Sequence, residues 1–177
     1  MMERILVPTD GSDHALKALD VACDLAHRHD AKVILCHVLL RDKDVGDLRK
    51  LAEAEHLSDA MVEELRQIEA SPAPQPSDLL RIQDRDSKPV PDDLLAEIGR
   101  KVLDAARRHS SAKGVTPKIL EIDDGPAPSQ ILAWAEREGV DTIVMGSRGL
   151  RAIEAISFGS VSQKVSQGAP CTCITVK

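Results

Sequence analysis

Aromatic residues are nearly missing from this chain: its 177 residues include one Phe, one Trp and no Tyr. Proteins that bind single-stranded nucleic acid usually stack bases on aromatic rings, so that class of function is disfavoured. The core must be built from Leu, Ile, Val and Ala, a composition that suits helices packed on a parallel sheet. Dense Lys/Arg runs are missing as well. With a net charge of −6 the chain offers no basic stripe along which a duplex would lie, and no nucleic-acid partner is expected. Acidity does not exclude an anionic ligand, because a helix start binds phosphate through backbone N–H groups. No apolar run approaches the roughly 20 residues of a membrane span. The segment from Met1 to Asp10 has neither a signal-peptide core nor an Arg-rich transit pattern. A soluble, cytoplasmic protein without membrane insertion is therefore expected. Cys23, Cys36, Cys171 and Cys173 lie inside apolar elements and read as small buried hydrophobes, not as a disulfide framework.

Hydrophobic residues make up 42% of the chain, enough for a globular domain. Arg4-Ile5-Leu6-Val7 is a first strand, stopped by Pro8. Thr9-Asp10-Gly11-Ser12 follows with turn chemistry, and Ser12 is a natural N-cap for a helix to about residue 29. The apolar face of that helix reads Ala15, Leu16, Leu19, Ala22, Cys23 and Ala26. Residues 31–40 form a second strand, completing a βαβ unit. Pro91 and two aspartates open a helix from about Asp92 to His109. A third strand over Pro117–Ile122, a helix over Ser129–Glu138 and a fourth strand over Thr142–Met145 come next. A last helix starts near Gly159, and Cys171–Val176 is a final strand. Such alternation implies an α/β sandwich with a mainly parallel sheet and a single domain over residues 1–177.

Residues 41–91 break the rhythm and read as a helical and loop insertion. Leu48, Leu51, Ala54, Leu57, Met61, Leu65 and Ile68 repeat at helical spacing, so a helix is predicted there. Ser71–Ser77 cannot continue it and reads as an extended connector, and Asp84–Pro89 as a further loop.

The chemistry concentrates after the fourth strand, in Gly146-Ser147-Arg148-Gly149, nine residues, then Gly159-Ser160-Val161-Ser162. Gly146 ends a strand where backbone must come close to something. Gly159 and Ser160 open a helix whose free N–H groups and dipole favour an anion, with Ser160 and Ser162 adding hydroxyl donors. Loop and helix start can together wrap a polyphosphate. Neither the dinucleotide fingerprint nor a P-loop is present.

The run Gly146-x2-Gly149-x9-Gly159-Ser160 resembles the ATP-binding motif of universal stress proteins. The opening Ile5-Leu6-Val7-Pro8-Thr9-Asp10-Gly11-Ser12 is similar to that family's first strand and loop. His37-Val38, Gly125-Pro126 and Ala169-Pro170-Cys171 match as well. The likeness covers about residues 2–40 and 92–177; nothing carries over to the insertion. The resemblance implies an open, five-stranded, Rossmann-like sheet of order 3-2-1-4-5 with helices on both faces. Ligands of such sheets bind at the carboxyl edge where the order reverses. It implies bound ATP, with Mg²⁺ arriving on the nucleotide. Asp10 would sit near adenine and ribose, Val38 would offer backbone groups to the base, and Pro8 and Thr9 would line its pocket. Met145 and Gly146 would pass under the ribose. Arg148, Gly149, Gly159, Ser160, Val161 and Ser162 would surround the phosphates. A homodimer through Cys171–Val176 and an unidentified protein partner are also implied.

Other candidates weigh less. Cys23 and His27 share a helix face but lack the further ligands a zinc site needs. Cys171 and Cys173 are taken to face opposite sides of the last strand, which would exclude a joint metal or a disulfide. His37 reads as a packed residue, and Asp92-Asp93 and Asp123-Asp124 as caps or solvated acids. The expected function is a nucleotide-binding regulatory protein of the stress response, acting as a switch for partners. The alternatives are a slow ATP hydrolase or phosphotransferase, or a dimeric scaffold that works through its insertion without nucleotide.

Overall fold

The structure is a computed structural model that describes residues 2–41, 43–54, 58–71, 90–149 and 160–177. Gly159, the nine residues before it, Leu57, and the predicted connector and loop within 72–89 lie outside the described residues.

Five strands form one sheet in the order β3-β2-β1-β4-β5. They are β1 (Arg4–Pro8), β2 (Lys32–Cys36), β3 (Lys118–Ile119), β4 (Thr142–Gly146) and β5 (Thr172–Val176), and every pairing is parallel. The predicted order holds. Central β1 has Ile5, Leu6 and Val7 fully buried, as a parallel strand covered on both faces requires.

Helix α1 (Asp13–His29) begins where the Ser12 hydroxyl accepts from Ala15 N–H at 3.3 Å, and ends at Asp30 in the left-handed region (φ 52°). One face of the sheet carries α1 and α4 (Asp92–Ala112), which close a cluster with Val7, Leu35 and Val144. The other carries α5 (Ala127–Arg137) and α6 (Ser160–Gly168), with the only tryptophan, Trp134, buried against Leu6, Ile34 and Ile143.

Three sequence expectations change. Leu16 is 44% exposed, and Ala18 takes its place in the core, because the face of α1 that meets the sheet is rotated toward Ala18 and away from Leu16. Cys171 and Cys173 pack on the same cluster, beside Leu132 and Val161. Residues two apart in a strand point the same way, so the opposite-face reading was in error. The single helix expected through Leu48–Ile68 is two helices, α2 (Val45–Ala54) and α3 (Asp59–Ala70). Ser58 starts the second by accepting from Met61 N–H, a local cap inside an otherwise periodic run.

The α2–α3 hairpin shares a third apolar cluster with α4: Leu48, Leu51, Met61 and Leu65 meet Leu94, Leu95, Ile98 and Val102. Arg41 pins its entry. The guanidinium donates to both carboxylate oxygens of Asp124 (2.6 and 3.0 Å) and to Asp92 (2.5 Å). These bonds hold the Asp92 and Asp124 carboxyls below their ordinary range and raise the arginine. Asp92 and Asp124 thus serve as partners of Arg41 in addition to any capping.

Candidate functional site

Parallel order places the carboxyl ends of β1 and β4 side by side, and their loops lead away on opposite faces. A cavity of about 320 Å³ opens there, within the usual range for small-ligand sites. Its walls come from the β1–α1 loop, the end of β2, the β4 loop and the start of α6. Eleven of the twelve residues singled out from the sequence border it: Pro8, Thr9, Asp10, Val38, Met145, Gly146, Arg148, Gly149, Ser160, Val161 and Ser162. The twelfth is Gly159.

At one end, the hydrogen bonding of β2 has an unusual consequence. Thr9 N–H donates to Cys36 O at 3.0 Å, the last rung between β1 and β2. In a continuing parallel ladder the next rung would run from Val38 N–H to Thr9 O. His37 Nδ1 takes that oxygen instead, at 2.9 Å. A carbonyl can only accept, so Nδ1 carries the proton. On the other side, Leu39 N–H bonds Asp123 O and Asp123 N–H bonds His37 O. Val38's own N–H and C=O are left without a partner among the described residues and face the crevice that β1 has vacated. A paired donor and acceptor on an extended backbone can read the edge of a heterocyclic base. Val38, Leu39, Leu40, Ala127 and Ile131 make that end of the cavity apolar.

His37 is 1% exposed and its Nε2 has no partner. Burial depresses its pKa, against the opposing effects of the Thr9 carbonyl and Asp10. Gly99 of α4 lets the ring fit: a Cβ there would lie 2.7 Å from His37 Cδ2.

At the other end, the two glycines of the β4 loop do different work. A Cβ on Gly146 would stand 2.8 Å from the backbone carbon of His14 and 3.0 Å from Ala15 N, so the close approach is to α1. A Cβ on Gly149 would collide with Asp10 Oδ2. The other oxygen, Oδ1, accepts from Ser12 N–H at 3.1 Å, an Asx turn that braces the β1–α1 loop. Asp10 therefore shapes its own loop and abuts the glycine loop. Ser162 differs from expectation. Its hydroxyl donates to Ser147 O at 3.0 Å, tying α6 to the β4 loop, so its proton is engaged by protein. The N–H groups of the first turn of α6 remain as anion donors.

The universal stress protein family model matches residues 1–177. The chain belongs to the universal stress protein family. A universal stress protein of Thermus aquaticus, from the QAH/OAS sulfhydrylase 3' region, is 32% identical over 177 residues and is covered in full, as is this chain. Among solved structures, the universal stress protein UspA from Lactobacillus plantarum has a TM-score of 0.65 at 22% identity, covering 99% of this chain and 97% of its own. That of the universal stress protein from Archaeoglobus fulgidus in complex with dAMP has a TM-score of 0.60 at 18% identity, covering 100% and 98%. At these identities the two structures speak for the fold.

In this universal stress protein the cavity also takes in Ala15, Cys36, Lys43 and Ser147, which sequence reading missed. Lys43 stands at the start of the insertion, for which the sequence reading had no motif. Ser147 could have been placed, since it follows Met145 by two residues at the end of a strand and falls on the same side of the sheet.

Proposed function

We propose that this universal stress protein binds an adenine nucleotide, ATP with Mg²⁺, and that occupancy of the cavity is the signal it delivers to a protein partner. One observation carries the reading: a cavity at the strand-order reversal has an unpaired backbone donor and acceptor at its apolar end. Its other end has a glycine loop facing the start of α6. Val38 would pair with the base edge, Asp10 with the ribose, and Arg148, Gly149, Gly159, Ser160 and Val161 with the phosphates. Mg²⁺ would be held mainly by phosphate oxygens and water. The dAMP complex of the Archaeoglobus fulgidus protein supports an adenine nucleotide as the class of ligand. Two states of the protein that differ in nucleotide affinity would supply the switch, and that difference limits how far occupancy can shift them.

The same reading includes a homodimer paired through β5. Thr172 N–H bonds Asp141 O and Ser147 N–H bonds Val176 O, so the even-numbered residues of β5 face β4. Cys173 and Thr175 then turn their N–H and C=O outward along an open edge, a template for a second copy.

The test is to purify the protein without added nucleotide, denature it, and identify and quantify what is released. Near-stoichiometric ATP or ADP is expected. Protein that releases nothing and also fails to bind added ATP with Mg²⁺ would overturn the proposal. Turnover on the order of 1–10³ per second would replace the switch with an enzyme.

A further inference from the structure

Three buried polar atoms of the described residues lack a hydrogen-bond partner: His14 Nδ1, His37 Nε2 and Ser147 Oγ. The other ring nitrogen of His37 is committed, since Nδ1–H donates to Thr9 O at 2.9 Å. Gly99 of α4 and Ile122 stand around the unmet one. A Cβ on Gly99 would lie 2.9 Å from Nε2 and 3.0 Å from Ile122 Cδ1. A leucine would fill this site, which is 1% exposed, and leave no polar atom unmet. Packing does not account for a histidine here, so its contribution lies in the bond to Thr9.

β1 and β2 keep one register from Arg4↔Lys32 to Pro8↔Cys36, and Thr9 N–H to Cys36 O adds a further bond. The same register brings Val38 N–H to Thr9 O as the next rung. Val38 N–H thus has two alternative acceptors. One is the Thr9 carbonyl, which would carry the ladder across the end of the cavity; the other is a ligand's base. The far edge of this segment is already fixed, by Leu39 N–H on Asp123 O at 3.0 Å and Asp123 N–H on His37 O at 3.4 Å. Only the bond toward β1 is open to choice. The ring and Val38 N–H approach Thr9 O from the same stretch of chain, so one excludes the other. We infer that His37 is a positioning residue: by occupying the Thr9 carbonyl it keeps the ladder from closing and holds Val38 N–H ready for the base. The inference rests on the adenine-nucleotide reading above and gives the site an internal competitor, which the ring removes before the ligand arrives. Such preorganisation strengthens binding without any contact between His37 and the ligand.

The experiment measures dissociation constants of adenosine and ATP, and residue-resolved amide exchange by NMR, for wild type, His37→Leu and His37→Asn. In nucleotide-free wild type the Val38 amide should exchange faster than the bonded Thr9 and Leu39 amides, and adenosine should slow it. His37→Leu should show a slow Val38 amide before any ligand is added. It should bind adenosine and ATP about tenfold more weakly, as one lost hydrogen bond does. His37→Asn carries its amide N–H at the same distance along the side chain, so it should stay within about threefold of wild type, with a fast Val38 amide. Wild-type affinities in His37→Leu would overturn the inference and leave the nucleotide reading intact. Weak binding with a fast Val38 amide would overturn it too, because the ring would then serve packing alone, and so would an equal loss in His37→Asn. Should His37→Leu fail to fold, wild type decides: a Val38 amide as slow as that of Thr9 without nucleotide overturns the inference. Wild type that binds neither ligand would overturn both readings.

Discussion

Replacing Gly146 with Ala should destabilise the protein in the absence of any nucleotide. The added Cβ would meet His14 C at 2.8 Å, His14 Cβ at 2.9 Å and Ala15 N at 3.0 Å. Carbon atoms pack at about 3.5–4.0 Å, so β4 and the first turn of α1 must part by roughly 0.5–1 Å. Two of those three atoms are backbone and cannot rotate away. Ala15 N–H is also the donor held by Ser12, so the same displacement loosens the cap. Overpacking costs about 1–3 kcal/mol and a weakened cap up to about 1 kcal/mol. Ala offsets about 0.4–1 kcal/mol of this by restricting the unfolded chain. The net loss is about 1–3 kcal/mol, or roughly 3–10 °C in melting temperature for a chain of this size. Urea unfolding should show a lower midpoint with an unchanged slope. Gly149→Ala is the contrast. Its Cβ meets only the end of the Asp10 side chain, so the cost is limited to loosening the Asx-turn bond to Ser12, up to about 1 kcal/mol, while nucleotide affinity falls. A wild-type midpoint for Gly146→Ala, or equal destabilisation by both variants, would refute the division of labour between the two glycines.

Three more outcomes are expected. His37 stays neutral when folded, with a pKa depressed by burial from its ordinary 6.5. Below pH 6.5 the unfolded chain takes up a proton that the folded protein refuses. Stability is therefore complete above that pH and falls beneath it, by at most about 1.4 kcal/mol per pH unit. His37→Asn should remove this component from a pH series of urea midpoints; parallel wild-type and variant curves would exclude it. Leu51, 4% exposed, covers Gly11 of the cavity loop, and a Cβ on that glycine would lie 2.6 Å from Leu51 Cδ1. Leu51→Ala should lower the single unfolding transition by about 2–5 kcal/mol, whereas a separate early transition would mean that the hairpin is not part of the core. Thr175→Pro removes only an outward N–H of β5, so sedimentation should show folded monomers; an unchanged dimer would place the contact elsewhere.

Much of the fold was legible in the sequence because its cues are local. Buried strands announce themselves as short apolar runs such as Ile5-Leu6-Val7, and Ser12 and Ser58 carry their capping chemistry with them, although the second was overlooked within a periodic segment. The same-face placement of Cys171 and Cys173 also followed from strand period alone, had it been applied correctly. The residues of the cavity were legible for a different reason: loops after β1 and β4 must adjoin once the strand order reverses between them.

Tertiary structure decided what those residues are available to do. Only the position of the His37 ring, locked between Thr9 and Gly99, strips Val38 of its ladder partner and leaves its backbone facing the cavity. The packing of β4 on α1 commits Gly146 to His14, and the distance from β4 to α6 engages the Ser162 hydroxyl and leaves that of Ser147 unmet. The sequence determined the order of elements and the chemical groups at the sheet edge, because periodicity and capping act over a few residues. Which of those groups stay unsatisfied depends on contacts between distant segments, such as Glu3 and Asp141, 138 residues apart, and such contacts exist only in the folded chain.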